Sequence, residues 1–200
     1  MSSPASDYEI VLASASPRRL ELLQQIGVNA LVQPVPVEEI LLADEQPLDF
    51  VQRLALEKAR AGFELTLQRG IELPVLGSDT IVELAGEVFG KPADSEQAEL
   101  MLAKLSGRVH RVHTAIAIKT GNAEYLALSS SEVEFAVLST EMIKAYVATG
   151  EPLDKAGSYG IQGRAARFIK NLNGSYSGVM GLPLFETAEL MLKARIKILS

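Results

Sequence analysis

The sequence predicts an α/β fold. Short β-like runs alternate with amphipathic helical stretches, and no internal repeat or low-complexity tract interrupts them. The chain has 200 residues, of which 48 % are hydrophobic and 22 % charged. That is enough material for a real core and is typical of a globular chain.

The elements follow in order. Glu9–Ala13 reads as a first strand. A helix to about Ile26 follows, with Ser16 as N-cap and Pro17 at the first helical position, where its missing N–H does no harm. Leu20, Leu23 and Ile26 supply its apolar stripe, and Gly27 stops it. Ala30–Val37 is a second extended run, and Pro34 and Pro36 favour an edge. A long helix spans Pro47 to Gln68. A strand lies within Leu73–Leu84, followed by a hairpin tip at Ala85-Gly86-Glu87. Asp94 caps a helix to about Leu105, with Gln97 three residues on. Val109–Ile118 and Tyr125–Val137 read as two strands. Ser139 caps a helix to about Thr149. Residues 150–183 are glycine-rich and read as irregular, and the last helix begins after Pro183.

Charge and composition remove several function classes. Nineteen Lys and Arg face twenty-five Asp and Glu, a net charge of −6, which disfavours a whole-surface nucleic-acid binder. The absence of cysteine excludes disulfides, thiolate nucleophiles and Cys-ligated metal sites. The two histidines, His110 and His113, stand three apart in a predicted strand, hence on opposite faces, and get no catalytic role. The polar start is not a signal peptide, and no window approaches the ~20 apolar residues that span a bilayer. The expectation is a cytoplasmic protein: a polar extension over residues 1–8, then one domain over 9–200.

Four segments could carry chemistry. Ser14-Ala-Ser-Pro-Arg18-Arg19 sets two arginines at a strand-to-helix junction, where free N–H groups and the helix dipole favour an anion. Arginine there is otherwise electrostatically disfavoured, so an anion partner explains it better than a solvated first turn; on spacing alone that anion being a phosphate and a plainly capped helix stay open. In Gly77-Ser-Asp79-Thr80 a carboxylate sits between apolar runs. It must be solvated, paired or metal-bound, so it is either a turn aspartate or a metal ligand or general base. Glu38-Glu39 and Glu57-Lys58-Ala-Arg60 read first as solvated surface, and Lys91 as a loop lysine that could reach a pocket. In the Gly150–Gly163 loop, Gln162 carries a carboxamide that can donate and accept, as reading a base edge requires. The alternative is a purely structural loop in which Asp154 and Lys155 pair with each other.

In order along the chain, these segments resemble the Maf family of nucleoside triphosphate pyrophosphatases. The likeness rests on Leu12-Ala-Ser-Ala-Ser-Pro-Arg-Arg19, Glu38-Glu39, Ala55-Leu-Glu-Lys-Ala59, Gly77-Ser-Asp-Thr80, Gly90-Lys-Pro92 and Leu105-Ser-Gly107 with His110. It continues through Thr114-Ala115, Gly150-Glu-Pro-Leu-Asp-Lys-Ala-Gly157, Tyr159-Gly-Ile-Gln-Gly163 and Gly181-Leu-Pro183. Each motif is weak alone, but the ordered set from about residue 9 to 190 is specific.

The resemblance implies two α/β lobes around an elongated, twisted mixed sheet with an active-site cleft between them. It implies hydrolysis of a nucleoside triphosphate to monophosphate and pyrophosphate with a divalent cation, Mg²⁺ or Mn²⁺. Ser14, Arg18, Arg19, Lys58 and Lys91 match its phosphate-gripping positions. Glu39 and Asp79 match its acidic, metal-binding positions, with Asp79 as proton acceptor. Arg18, Thr80 and Gln162 are similar to the branch acting on dTTP and UTP. The 7-methyl-GTP branch would have tryptophan, glutamine and glutamate at these three positions. The likeness also suggests a homodimer and a small nucleotide as substrate; the charge balance and the lack of a long apolar window add the expectation of no stable nucleic-acid partner and no membrane. The competing reading, also associated with the family, is a non-enzymatic nucleotide- or nucleic-acid-binding regulator of cell division and septum formation.

Overall fold

The computed structural model describes residues 7–198; the first six residues of the expected extension fall outside them. The fold is mixed α/β. One seven-stranded sheet runs in the order β2-β1-β3-β5-β6-β7, with β4 paired to β3. The strands are β1 Ile10–Leu12, β2 Ala30–Val32, β3 Val75–Leu84, β4 Glu87–Phe89, β5 Val109–Lys119, β6 Glu124–Phe135 and β7 Ile169–Asn173. The helices are α1 Pro17–Gln25, α2 Pro47–Gln68, α3 Ser95–Leu105, α4 Thr140–Val147, α5 Tyr176–Met180 and α6 Leu184–Lys193.

The chain forms two compact units that exchange segments. The first takes in the chain through Asp79, Thr114–Ser129 and the chain from Gly181; the second takes in Thr80–His113 and Ser130–Met180. Strands β3, β5 and β6 therefore contribute residues to both.

In the first unit β1 pairs in parallel with β2 and β3, in the register Ile10 to Ala30 and Val11 to Val75. All three residues of β1 are fully buried, as expected of a parallel strand covered on both faces. The prolines explain why β2 is short. It stops at Val32, because Pro34 and Pro36 have no N–H for a ladder. Helix α2 packs very close to the sheet. A Cβ on Gly77 of β3 would lie 2.3 Å from the Ala55 carbonyl oxygen and 2.5 Å from the Ala59 nitrogen. The glycine of the Gly77-Ser-Asp79-Thr80 motif thus serves helix-on-strand contact, and α2 could not approach β3 so closely past a side chain.

In the second unit the core joins Leu102 and Leu105 of α3, Val133 and Phe135 of β6, Ile143, Tyr146 and Val147 of α4, and Phe168. Two short elements escape a reading by periodicity. β7 is a polar five-residue strand, Ile-Lys-Asn-Leu-Asn, recognisable only by its antiparallel partner β6. α5 has five residues and contains Gly178, too short for a helical period to show. The rest of the glycine-rich stretch folds as 3₁₀ segments at Glu151–Asp154, Ala156–Ser158 and Arg164–Phe168. Asp94 and Ser139 accept the capping N–H groups of Gln97 and Met142. Ser16 is the N-cap residue of α1, as expected, but makes no side-chain capping bond; its own N–H donates to Ser14 Oγ.

His110 lies inside this second core. Its Nε2 is 2.8 Å from the Tyr159 hydroxyl, and its ring meets Phe135 edge-on. Its Nδ1 is buried with no hydrogen-bond partner among the described residues. Burial pushes the imidazole from its ordinary 6.5 down to about 4, so it is neutral at pH 7.

Two predictions follow from this packing. Gly77→Ala forces α2 off β3 and destabilises the chain by ~1–3 kcal/mol in urea unfolding; unchanged stability would contradict the close approach. A depressed native histidine pKa contributes stability that is complete above about 6.5 and is lost as pH falls through about 4. Stability therefore declines more steeply between pH 7 and 5 in the native chain than in His110→Phe. Equal slopes would show that His110 is not held neutral by the fold.

Candidate functional site

The first unit gathers charge at the C-terminal end of β1 and the middle of β3. Ser14 follows β1 and is buried. Its Oγ accepts from Arg19 Nη1 at 3.0 Å. Arg19, in the first turn of α1, also donates from Nε to the Gly181 carbonyl at 2.8 Å. The Ser78 hydroxyl donates to the same carbonyl at 3.0 Å. The Arg19 fork is thus oriented by the chain on two of its edges, and its planar donors are fixed in advance.

Asp79 stands beside Ser78 on β3 with only 5 % of its surface exposed. Its Oδ1 accepts from Lys58 Nζ at 2.6 Å. The same ammonium donates to Glu39 Oε1, also at 2.6 Å. Lys58 comes from α2 and is itself buried, so within the Glu57-Lys58-Ala-Arg60 stretch it is the residue that departs from the solvated face its composition suggests. Glu57 and Arg60 do face outward, to Arg53 and Glu124. Asp79 is not a turn residue either; it is internal to a strand.

The electrostatics agree with one shared centre. Burial raises the Asp79 carboxyl above its ordinary value; Lys58 and Arg19 pull it down, and Glu39 pushes it up. Burial lowers Arg19, while the Asp79 and Glu39 charges raise it and Arg18 lowers it. Lys58 and Arg19 thus both act on the Asp79 and Glu39 carboxylates, with Arg18 close enough to be felt.

Glu39 lies on the irregular segment between β2 and α2, and sequence reasoning missed what holds that segment. Arg53 of α2 forks onto Glu45, with Nε 2.7 Å from Oε1 and Nη2 2.8 Å from Oε2. Nη2 also donates to the Ile40 carbonyl at 2.9 Å. Arg53 thereby ties the residues just after Glu39 to the helix that carries Lys58. The Arg53 hydrogen bonds hold the Glu45 carboxyl at about 2. The i,i+4 pair Arg53–Glu57 is visible in the sequence; Glu45 is not, because its partner lies across a loop.

Thr80, Lys91 and Gln162 belong to the second unit. Thr80 follows Asp79 on β3 and is half-buried, Lys91 is exposed between β4 and α3, and Gln162 is exposed in the turn before Arg164. Asp154 and Lys155 do pair, at 2.6 Å. Among the described residues no group of three or more His, Asp or Glu side chains could hold a metal by itself. The donor set of Glu39 and Asp79 still suits a divalent cation of the magnesium type. Such ions take one or two protein carboxylates and complete their shell with substrate phosphates and water.

No helix among the described residues is long and apolar enough to cross a membrane. A family model described as "Maf-like protein" matches residues 9–194. Relatives called dTTP/UTP pyrophosphatase match nearly end to end. The one from Nitrosospira multiformis is 48 % identical, over 96 % of this chain and 97 % of its own. That of Xanthomonas axonopodis pv. citri is 52 % identical, over 91 % and 96 %. That of Alkalilimnicola ehrlichii is 54 % identical, over 91 % of each chain. Among solved structures, the Ham1 protein of Staphylococcus aureus is similar in fold, with a TM-score of 0.51 at 17 % identity over 93 % of this chain and 98 % of that one.

Removing the ammonium leaves the Asp79 carboxylate buried without its closest partner. Lys58→Met therefore lowers stability by ~3–5 kcal/mol in urea unfolding. A loss below ~1 kcal/mol would mean that Asp79 is solvated rather than paired.

Proposed function

The chain belongs to the Maf family, and from that premise we propose that it hydrolyses dTTP and UTP to the nucleoside monophosphate and pyrophosphate. The observation that carries this reading is the buried Asp79 carboxylate, held at 2.6 Å by Lys58 and within the field of Arg19. Near-complete coverage of relatives carrying the name dTTP/UTP pyrophosphatase supports it.

The chemistry asks for charge neutralisation and positioning. Water attacks the α-phosphorus in line. A new oxygen–phosphorus bond forms, the bond from the α-phosphorus to the α,β-bridging oxygen breaks, and pyrophosphate leaves with that oxygen. Asp79 accepts the proton of the attacking water. Burial raises its carboxyl above the ordinary range, which makes it a stronger base than a surface aspartate. Arg18, Arg19, Lys58 and Lys91 grip the triphosphate, and Ser14 sets the Arg19 fork. Glu39 and Asp79 hold the divalent cation, Mg²⁺ or Mn²⁺, which supplies further neutralisation of phosphate charge when bound.

Gln162 reads the pyrimidine edge with one donor and one acceptor group, and Thr80 shapes that pocket. Arg18, Thr80 and Gln162 are the residue types expected of the dTTP/UTP branch. The product of such a reaction is a monophosphate withdrawn from the triphosphate pool, so the proposed setting is the cytoplasm; a homodimer is proposed on the family resemblance alone. A non-enzymatic regulator of cell division would need the same arginines, but it gives no reason to bury a carboxylate among phosphate-gripping cations.

Incubation with dTTP and divalent metal yields dTMP and pyrophosphate, and Asp79→Asn lowers kcat by ~10²–10⁴-fold. Orthophosphate in place of pyrophosphate would assign a phosphatase. Absence of turnover together with nucleotide binding would favour the regulator.

A further inference from the structure

We propose that Glu151 is a positioning residue for substrate choice: its single carboxylate fixes both ends of the turn that presents Gln162. This rests on the reading of Gln162 as the residue that meets the nucleobase.

The turn is closed by the Gly163 N–H donating to the Gly160 carbonyl at 3.0 Å. Gln162 is its exposed residue, between buried Ile161 and half-buried Gly163. Glu151 Oε2 accepts the Arg164 N–H at 3.1 Å, on the far side of the turn. Glu151 Oε1 accepts the Tyr146 hydroxyl at 2.9 Å. That hydroxyl in turn accepts the Gly160 N–H at 3.3 Å, on the near side. One carboxylate therefore holds Arg164 directly and Gly160 through Tyr146.

Three further observations make this a built arrangement. Tyr146 is 3 % exposed and sits on α4, so the anchor is rigid. A Cβ on Gly163 would lie 2.0 Å from Glu151 Oε1, so the carboxylate lies directly against the turn backbone. Lys155 Nζ donates to the Glu151 carbonyl at 2.8 Å, which fixes the main chain from which the carboxylate projects. The residue type also matters. A carboxylate has two acceptor oxygens and can take an O–H and an N–H at once, while a glutamine has one. The Glu151-Pro-Leu-Asp-Lys155 segment thus has a task distinct from gripping phosphate.

The test measures kcat/KM for dTTP and for GTP in Glu151→Gln, Tyr146→Phe and Gln162→Ala, alone and combined. Glu151→Gln and Tyr146→Phe lower the dTTP-to-GTP ratio by roughly threefold to tenfold, the effect of about one lost hydrogen bond. The change appears mainly in KM for dTTP, and GTP turnover is little altered. In the Gln162→Ala background neither change moves the ratio further. Equal losses on both nucleotides would mean a merely structural role and overturn the proposal. So would a ratio that still falls when Gln162 is already alanine. If Gln162→Ala alone leaves the ratio unchanged, the reading of Gln162 fails and this proposal fails with it. If Gln162→Ala lowers the ratio but Glu151→Gln and Tyr146→Phe do not, this proposal alone fails. Tyr146→Phe keeps the packed ring and carries the test if Glu151→Gln does not fold.

Discussion

The site depends on one buried ion pair, Lys58 with Asp79, at 2.6 Å. Neither charge would be stable there alone, since burying an isolated ion is costly. Each is tolerable because the other is present, and Glu39 takes up the remaining reach of the ammonium. The pair forms only because α2 lies against β3 at nearly atomic contact. Gly77, two residues before Asp79, permits that contact by having no side chain. A backbone packing constraint thereby sets the distance between two functional groups.

Arg19, the segment that carries Glu39 and the turn that carries Gln162 are each held by further hydrogen bonds. Ser14 and the Gly181 carbonyl orient Arg19. Arg53 and Glu45 hold the segment that carries Glu39. In the second unit Tyr146 and Glu151 hold the turn that presents Gln162. Catalysis of hydrolysis at a polyanion asks for fixed dipoles and charges rather than covalent participation.

Local signals in the sequence were readable where the physics is local. The long helix over Pro47–Gln68 has both bounds as expected, because Pro47 and the apolar stripe are sequence features. The caps at Asp94 and Ser139 were legible for the same reason. Ser16 does occupy the N-cap position, but its side chain makes no capping hydrogen bond, which the residue type alone does not reveal. β7 has too few apolar residues to announce itself and exists through pairing with β6. At the site, Arg18, Arg19 and Asp79 stood out by being misplaced for a plain helix or strand. Lys58 did not: on composition it belongs to a solvated helix face, and only the approach of α2 to β3 buries it. The partners of Glu45, Tyr146 and Glu151 are not legible in the sequence, although Glu151 stands in one of the family motifs.

The most direct measurement of the central claim is a paired-charge rescue followed by assay. Lys58→Met and Lys58→Met/Asp79→Asn are compared by urea unfolding and then by turnover of dTTP with divalent metal. The account predicts that the double variant recovers much of the stability lost by the single one, because the Asp79 charge is no longer left buried without Lys58. It also predicts that the double variant, lacking the proposed proton acceptor, turns over dTTP at least ~10²-fold more slowly than the native chain. Losses of stability that simply add, or a double variant that turns over dTTP at the native rate, would contradict the view that this buried pair is the centre of the site.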